Sequence, residues 1–221
     1  MIPSFALERT QEILCDLDAL ITQGRIPDVP VFVDSPLAIK ATTIFRTHKE
    51  FYRNNIKEKL NKGENIFTFP RLRFTQTVEE SKSINEVAPP KIIIAGSGMS
   101  EGGRILHHER RFLQDEKSTL LFVGYQAQGT RGRKIQNGAP NVTIFGDHIP
   151  VRCQKAFLEE YSAHADQEQL IAWAKHFKDS VKKIFVVQGE EQASIALMYR
   201  LEDLLGVEVV VPSYGESAEL L

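Results

Sequence analysis

The stretch Lys91-Ile92-Ile93-Ile94-Ala95 runs directly into Gly96-Ser97-Gly98-Met99-Ser100-Glu101-Gly102-Gly103-Arg104, and its reading decides the fold. A short β-branched run bounded by glycines is a buried strand, and the amphipathic segment from Arg104 to Leu113 is a helix. The same strand-turn-helix unit recurs on both sides. Upstream, Val29 to Asp34 is a strand and Ser35-Pro36 opens a helix towards Phe51, with Pro36 at its first position. Before that, Phe5 to Thr22 carries the apolar spacing of one helix face, and Asn54 to Asn65 is a polar, solvated helix. Downstream, Thr119 to Val123 is a strand with a short helix near Arg131 to Gln136. Asn141 to Phe145 and Ile149 to Arg152 form a hairpin. Ile184 to Val187, the helix Glu190 to Leu205 and Val207 to Val211 complete the pattern, with Gly206 as the left-handed terminator. Such units in series predict an α/β fold, a mostly parallel sheet with helices on both faces. The alternation breaks at Gly146-Asp147-His148, which sets a boundary between residues 1–147 and 148–221.

The 221 residues are 42% hydrophobic and 25% charged, enough for a real core. A net charge of -2 means that any contact with a polyanion comes from a local patch. Cys15 and Cys153 are too few and too far apart for a disulfide framework or a structural zinc site. No signal peptide is read at the start, and no apolar run approaches the roughly 18 residues of a membrane span. The expectation is a soluble cytoplasmic protein.

In open α/β sheets ligands bind at the carboxyl ends of strands, where this sequence places its unusual residues. The Gly96 loop fits neither phosphate-binding fingerprint. Glu101 stands where a dinucleotide site needs a third Gly, and Gly103-Arg104-Ile105 follows where a P-loop needs Gly-Lys-Ser/Thr. Two readings stay open: a flexible turn offering N–H groups and a helix N-terminus to an anion, or a tight turn that needs positive φ. In the loop Gly124-Tyr125-Gln126 to Gly129-Thr130-Arg131-Gly132-Arg133-Lys134, Arg131, Arg133 and Lys134 suit a phosphate backbone. A solvated basic turn is the plainer reading. Tyr125 is a base-stacking candidate or a core tyrosine.

Ser162-Ala163-His164-Ala165-Asp166 precedes a helix over Gln167 to Phe177, and Asp166 with Gln169 reads as a capping box. His164, flanked by small residues, is placed to act as a general acid or base; a structural hydrogen bond is the other reading. His48, His107, His108, His148 and His176 make no metal-ligand spacing, and His107 and His108 point in different directions from one helix.

Taken in order, Ile2-Pro3-Ser4-Phe5-Ala6-Leu7-Glu8-Arg9-Thr10-Gln11-Glu12, Asp34-Ser35-Pro36-Leu37-Ala38, Gly96-Ser97-Gly98-Met99, Gly124-Tyr125-Gln126 with Gly129-Thr130, Ser162-Ala163-His164-Ala165-Asp166 and Gly189-Glu190 resemble the β-CASP group of metallo-β-lactamase-fold nucleases. That group includes the pre-mRNA 3′-end cleavage endonuclease and its bacterial and archaeal relatives. The resemblance implies a Rossmann-like β-CASP domain over 1–147. It also implies that 148–221 is the C-terminal part of a metallo-β-lactamase αββα fold, the RNA-specificity segment. The implied activity is zinc-dependent cleavage of RNA phosphodiester bonds, endo- or exonucleolytic, on single-stranded RNA. Two zinc ions are expected in an intact family member.

His164 falls on the family's motif B histidine, implied to assist the leaving group. Ser35, Ser97, Gly98, Met99, Arg104, Tyr125, Gly129, Thr130, Arg131, Arg133 and Ser162 are the implied RNA contacts. The sequence departs from the family at two points. Its His-x-His-x-Asp-His motif and later ligands are absent, so the chain is expected to be a fragment, excised piece or truncated product, lacking an N-terminal metallo-β-lactamase half and inactive alone. Motif C, normally a zinc-binding His, is Gln188, and an amide oxygen is a far weaker zinc ligand than imidazole. A non-catalytic RNA- or partner-binding module is therefore the alternative, a small-molecule α/β domain a third reading, and a homodimer is open.

Overall fold

The computed structural model describes residues 1–62, 66–158, 161–162 and 164–219. The chain forms two compact units, Met1–Ser162 and Ala163–Leu221.

The first unit is built on four parallel strands, β1 (Ile2–Pro3), β2 (Val31–Val33), β3 (Leu72–Phe74) and β4 (Ile92–Ala95), in the order β1-β4-β2-β3. The Ile92–Ala95 run is thus a central strand. Period-two alternation divides its side chains and those of β2 between the two faces. Val31, Val33 and Ile94 pack with Ile13 and Leu14 of α1 (Arg9–Thr22) and Ala38 and Ile39 of α2 (Pro36–Thr47). Phe32 and Ile93 point the other way, onto Ile84 and Phe112. Helices therefore cover both faces, as parallel sheets require. The polar helix α3 (Asn54–Asn61) follows a short 3-10 turn, and the expected reach to Asn65 lies outside the described residues.

β1, β3 and α4 (Val78–Ser83) were not foreseen. β1 and β3 are too short to show a period, and α4 has no apolar face, its one apolar residue being the exposed Val78. Yet α4 announces itself by a capping box: the Thr77 hydroxyl accepts from the Glu80 N–H and the Glu80 carboxylate accepts from the Thr77 N–H.

Beyond β4 lie α5 (Ile105–Phe112), β5 (Thr119–Phe122) and α6 (Arg131–Gln136). The antiparallel hairpin β6 (Asn141–Ile144) and β7 (Asp147–Pro150) follows, and then β8 (Gln154–Phe157), parallel to β5. The Leu121 N–H donates to the Met1 carbonyl at 2.9 Å, which sets β5 beside β1. A second apolar cluster, including Ile105, Leu120, Phe122, Ile135, Ile144 and Ile149, holds this region together. The division read at 147/148 falls within β7, whereas the compact units part at 162/163.

The second unit contains α7 (Gln167–Lys175), β9 (Lys183–Phe185), α8 (Glu191–Leu205) and β10 (Glu208–Val210), with β9 and β10 parallel. Ile171 and Ala174 of α7 pack on Leu201 and Leu205 of α8 and Val209 of β10. Gly206 ends α8 at φ 68°, the left-handed cap. Among the described residues, no helix is long and apolar enough to cross a membrane.

Candidate RNA-binding edge

Strands β1, β2, β3 and β4 are followed directly by Ser4, Asp34, Thr75 and Gly96, so the carboxyl edge of the sheet is a row of polar or glycine residues. Asp34 sits at its centre, fully buried. Thr75 Oγ1 (2.7 Å) and Arg104 Nη1 (2.8 Å) donate to Oδ1. Ser81 Oγ (2.6 Å) and His108 Nε2 (2.7 Å) bond Oδ2. Burial alone pushes a carboxyl group towards protonation, but the bonds from His108, Ser81, Thr75 and Arg104 outweigh it and hold Asp34 well below the usual carboxylate range. An ionised carboxylate only accepts, so the Nε2 of His108 carries the proton. With two donors on each oxygen, Asp34 has no capacity left for a metal or a substrate proton; it organises the loops around it.

Arg104 shows how. Its guanidinium also donates to the carbonyls of Thr75 (3.0 Å) and Gln76 (2.7 Å), clipping the β3 end to the start of α5. The Gly96 loop is correspondingly closed. Ser97 Oγ accepts from the N–H groups of Glu101 and Gly102, Ser97 N–H donates to Gly102 O, and Ile105 N–H to Gly96 O. Those N–H groups are spent inside the loop, as the tight-turn reading expects. Gly103 has φ 75°, and a Cβ there would lie 2.4 Å from the Gly96 carbonyl oxygen. At Gly98 the obstacle is the Phe5 ring, 2.6 Å from a built Cβ.

The second loop is stitched onto the first. Gln126 Nε2 donates to Gly98 O (3.0 Å), Gly132 N–H to Met99 O (3.1 Å), and Arg131 Nη1 to Ser100 O. Arg131 Nε also reaches Thr143 O at 3.0 Å, so this arginine is tied into the fold. Gly129 has φ 88° and open space around it, and Thr130 caps α6 by accepting from Arg133 N–H. Tyr125 is about half exposed, and the Arg133 guanidinium lies over its ring, 5.4 Å from the centroid. This pair presents a flat π surface and a cation together. Behind the loops, buried Glu109 accepts from Ser100 Oγ. Burial pushes its carboxyl up to about 7, a rise the Ser100 bond and Arg131 only partly offset.

Phe5, Ser35, Ser97 and Arg104 line one cavity of about 490 Å³ along the edge. Ser35 caps α2, its Oγ accepting from Ala38 N–H at 3.3 Å. Of the residues read from the sequence, the fold thus gathers Ser35, Ser97 and Arg104 at the cavity, and joins Gly98, Met99, Tyr125, Gly129, Thr130, Arg131 and Arg133 through the stitched loops. Ser162 is exposed at the end of the first unit. His164 and Gln188 belong to the second. His164 is exposed just ahead of α7, whose Asp166–Gln169 capping box is reciprocal, with bonds of 2.8 and 2.9 Å. Ala163 lies outside the described residues. Gln188 is exposed at φ 65°, and Gly189 follows it because a Cβ would meet Ser194 Oγ at 2.3 Å. Sequence reasoning missed Thr75, Ser81, His108 and Glu109, and did not rank Asp34 as a site residue. The available signal was an aspartate at a strand's carboxyl end ahead of Ser-Pro.

Among the described residues, no group of three or more His, Cys, Asp or Glu side chains gathers where a metal ion could be held. The described residues do not by themselves fit a zinc centre.

Comparison with known proteins matches residues 10–135 to the Beta-Casp domain, and residues 148–212 to the Zn-dependent metallo-hydrolase RNA specificity domain. A ribonuclease of Thermus thermophilus is 36% identical over 98% of this chain and 48% of its own length. Transcription termination factor FttA of Methanosarcina mazei is 31% identical over all of this chain and 36% of its own length. An RNase J-like protein of Methanocaldococcus jannaschii is 33% identical over 97% of this chain and 48% of its own. The chain spans half the length or less of these relatives. With more than half of its residues matched by the first domain, in the order its loops follow around the sheet edge, the chain belongs to the β-CASP family of metallo-β-lactamase-fold proteins that act on RNA.

Proposed function

We propose that this chain is the RNA-gripping part of a zinc-dependent hydrolase that cleaves RNA phosphodiester bonds. The observation that carries the reading is the convergence of Ser35, Ser97 and Arg104 on one cavity at the carboxyl edge of the parallel sheet, together with the half-exposed Tyr125 ring under Arg133. A single RNA strand lies along this edge. Phe5 and Tyr125 offer stacking surfaces, and Ser97, Thr130 and Arg133 face the sugar-phosphate backbone. Arg104 and Arg131, already bound to carboxylate and carbonyl oxygens, keep the loops in register and add positive potential.

Zinc, when bound, would supply the attacking water and neutralise charge on the phosphate. Apart from the motif C position, here Gln188, the family's zinc-ligand motifs are not found among residues 1–221. Within this chain His164 is the proton donor to the leaving oxygen. In support, it is exposed, flanked by small residues and fixed just ahead of the capped α7. The protein works in the cytoplasm, where the free thiols of Cys15 and Cys153 are stable.

The test is cleavage of single-stranded RNA by the intact protein, with and without zinc and His164→Ala. The variant is expected to lose about 10²- to 10⁴-fold in rate, the usual contribution of a general acid, with RNA affinity unchanged. An unchanged rate would remove His164 from the mechanism.

A second reading is a non-catalytic module that grips RNA without cutting it. Gln188 favours it, because the motif C position carries an amide in place of imidazole.

A further inference from the structure

A second cavity, of about 400 Å³, opens between α4 and α5. Its lining includes Lys82, Asn85, Arg104, His107, Arg110 and Arg111, and no carboxylate lines it. In a chain of net charge -2 this is a local concentration of positive charge. The cations differ in availability. Arg104 is held by buried Asp34. Arg110 pairs with Asp147 at 2.5 Å, but both side chains are about half exposed, so the pair is weak and exchangeable. Lys82 and Arg111 are exposed on facing helices. At the rim the His107 ring lies against exposed Phe145, with centroids 4.8 Å apart. Cations beside an exposed aromatic pair, in a space larger than one phosphate needs, match a nucleotide's phosphate and base rather than a lone ion.

We propose that this cavity is a second RNA subsite, which holds a backbone phosphate on Lys82 and Arg111 and stacks a base at His107–Phe145. The site rests on the RNA reading above and extends it. Arg104 lines both cavities, so a strand that leaves the sheet edge passes directly onto the α4–α5 face.

The experiment measures affinity of the intact protein for a twenty-nucleotide oligouridylate at several salt concentrations. The variants are Lys82→Ala/Arg111→Ala and a control of equal charge change, Lys49→Ala/Lys62→Ala. Each lost phosphate contact on a single strand lowers the log–log salt slope by about 0.7. With one phosphate held by both cations, the cavity variant is therefore expected to lose about 0.7 and to bind roughly fivefold more weakly near 0.1 M salt, with its thermal midpoint and the control's slope unchanged. Phe145→Ala is expected to weaken binding without changing the slope. An unaltered slope in the cavity variant, or an equal loss in the control, overturns the subsite and leaves the edge reading standing. No binding of oligouridylate by the unsubstituted protein overturns both.

Discussion

His108 Nε2 lies 2.7 Å from Asp34 Oδ2, and both side chains are buried. The contact joins the middle of α5 to the carboxyl end of β2, and with Arg104 it fixes the α5 end of the glycine loop between β4 and α5. Every partner of Asp34 is a donor, and this sets the first prediction. Asparagine at this position would turn its NH₂ group towards two of those donors, so the near-isosteric change is no milder than truncation. Asp34→Ala and Asp34→Asn are each expected to cost about 3–5 kcal/mol, the usual penalty for unpairing a buried ionic group. The folded-state pKa of Asp34 is depressed, so its stabilisation is present above about pH 4, the unfolded value, and fades as pH falls below that. Denaturant midpoints at pH 7 and pH 3 check both parts. Wild type and variants of equal stability at pH 7 would remove the network from its organising role.

Glu109 behaves in the opposite sense. Its carboxyl is pushed up from 4.5 to about 7 by burial, and Oε2 has no hydrogen-bond partner. Between these values the unfolded chain releases a proton that the folded protein keeps. Stability from this group therefore falls as pH rises from about 4.5 to about 7 and is flat above. The shift corresponds to a cost on the order of 3 kcal/mol at alkaline pH. Glu109→Gln keeps an acceptor for Ser100 and removes the charge. It is expected to stabilise the protein by about 1–3 kcal/mol above pH 7 and to flatten this part of the pH profile. Thermal midpoints from pH 5 to pH 8 measure it; an unchanged slope in the variant would mean that Glu109 stays ionised.

The two carboxylates also mark what sequence can and cannot disclose. Periodicity and turn chemistry located β2, β4 and α5, the Pro36 helix start, the Asp166 capping box and the Gly206 stop, because each is set by residues within a few positions of one another. The loops at the strand ends were legible for the same reason. Asp34 and His108 are 74 positions apart, and Ser100 and Glu109 meet only because Gly103 turns the chain back onto α5. Neither pairing has a local signature. Arg131 illustrates the converse: its sequence neighbourhood reads as a basic turn, while its guanidinium is directed to the carbonyls of Ser100 and Thr143. The β8 strand was missed because Gln154-Lys155-Ala156-Phe157 is short, half polar and mostly exposed, and is held by pairing with β5.

Tyr125 separates stacking from charge at the sheet edge. Its ring is about half exposed, with Arg133 over it. Tyr125→Ala is expected to weaken single-stranded RNA binding by about 1–3 kcal/mol, the range for one stacked base, while leaving the salt slope unchanged. Tyr125→Phe should retain most of the affinity, since the ring and not the hydroxyl makes the contact. Arg133→Ala should instead lower the salt slope by about 0.7. Affinities of the three variants across a salt series decide the matter, and full binding by Tyr125→Ala would place the RNA elsewhere.

Gln188 offers the sharpest division between an enzyme and a binding module. Its backbone is at φ 65°, in the left-handed region, where histidine is several-fold enriched among residues other than glycine. Gly189 behind it fits against Ser194 with no room for a side chain, so the turn that presents position 188 is fixed by its neighbours. Gln188→His should therefore fold without added strain and present an imidazole where the family has one. If the intact protein keeps the rest of its metal centre, the variant is expected to gain up to one equivalent of zinc by elemental analysis and to cleave RNA faster. The gain should disappear when His164 is also replaced if the added activity runs through the same proton donor. A variant that folds normally, binds RNA as before and takes up no additional zinc would mean that position 188 faces no metal site, and the non-catalytic reading would then be the correct one.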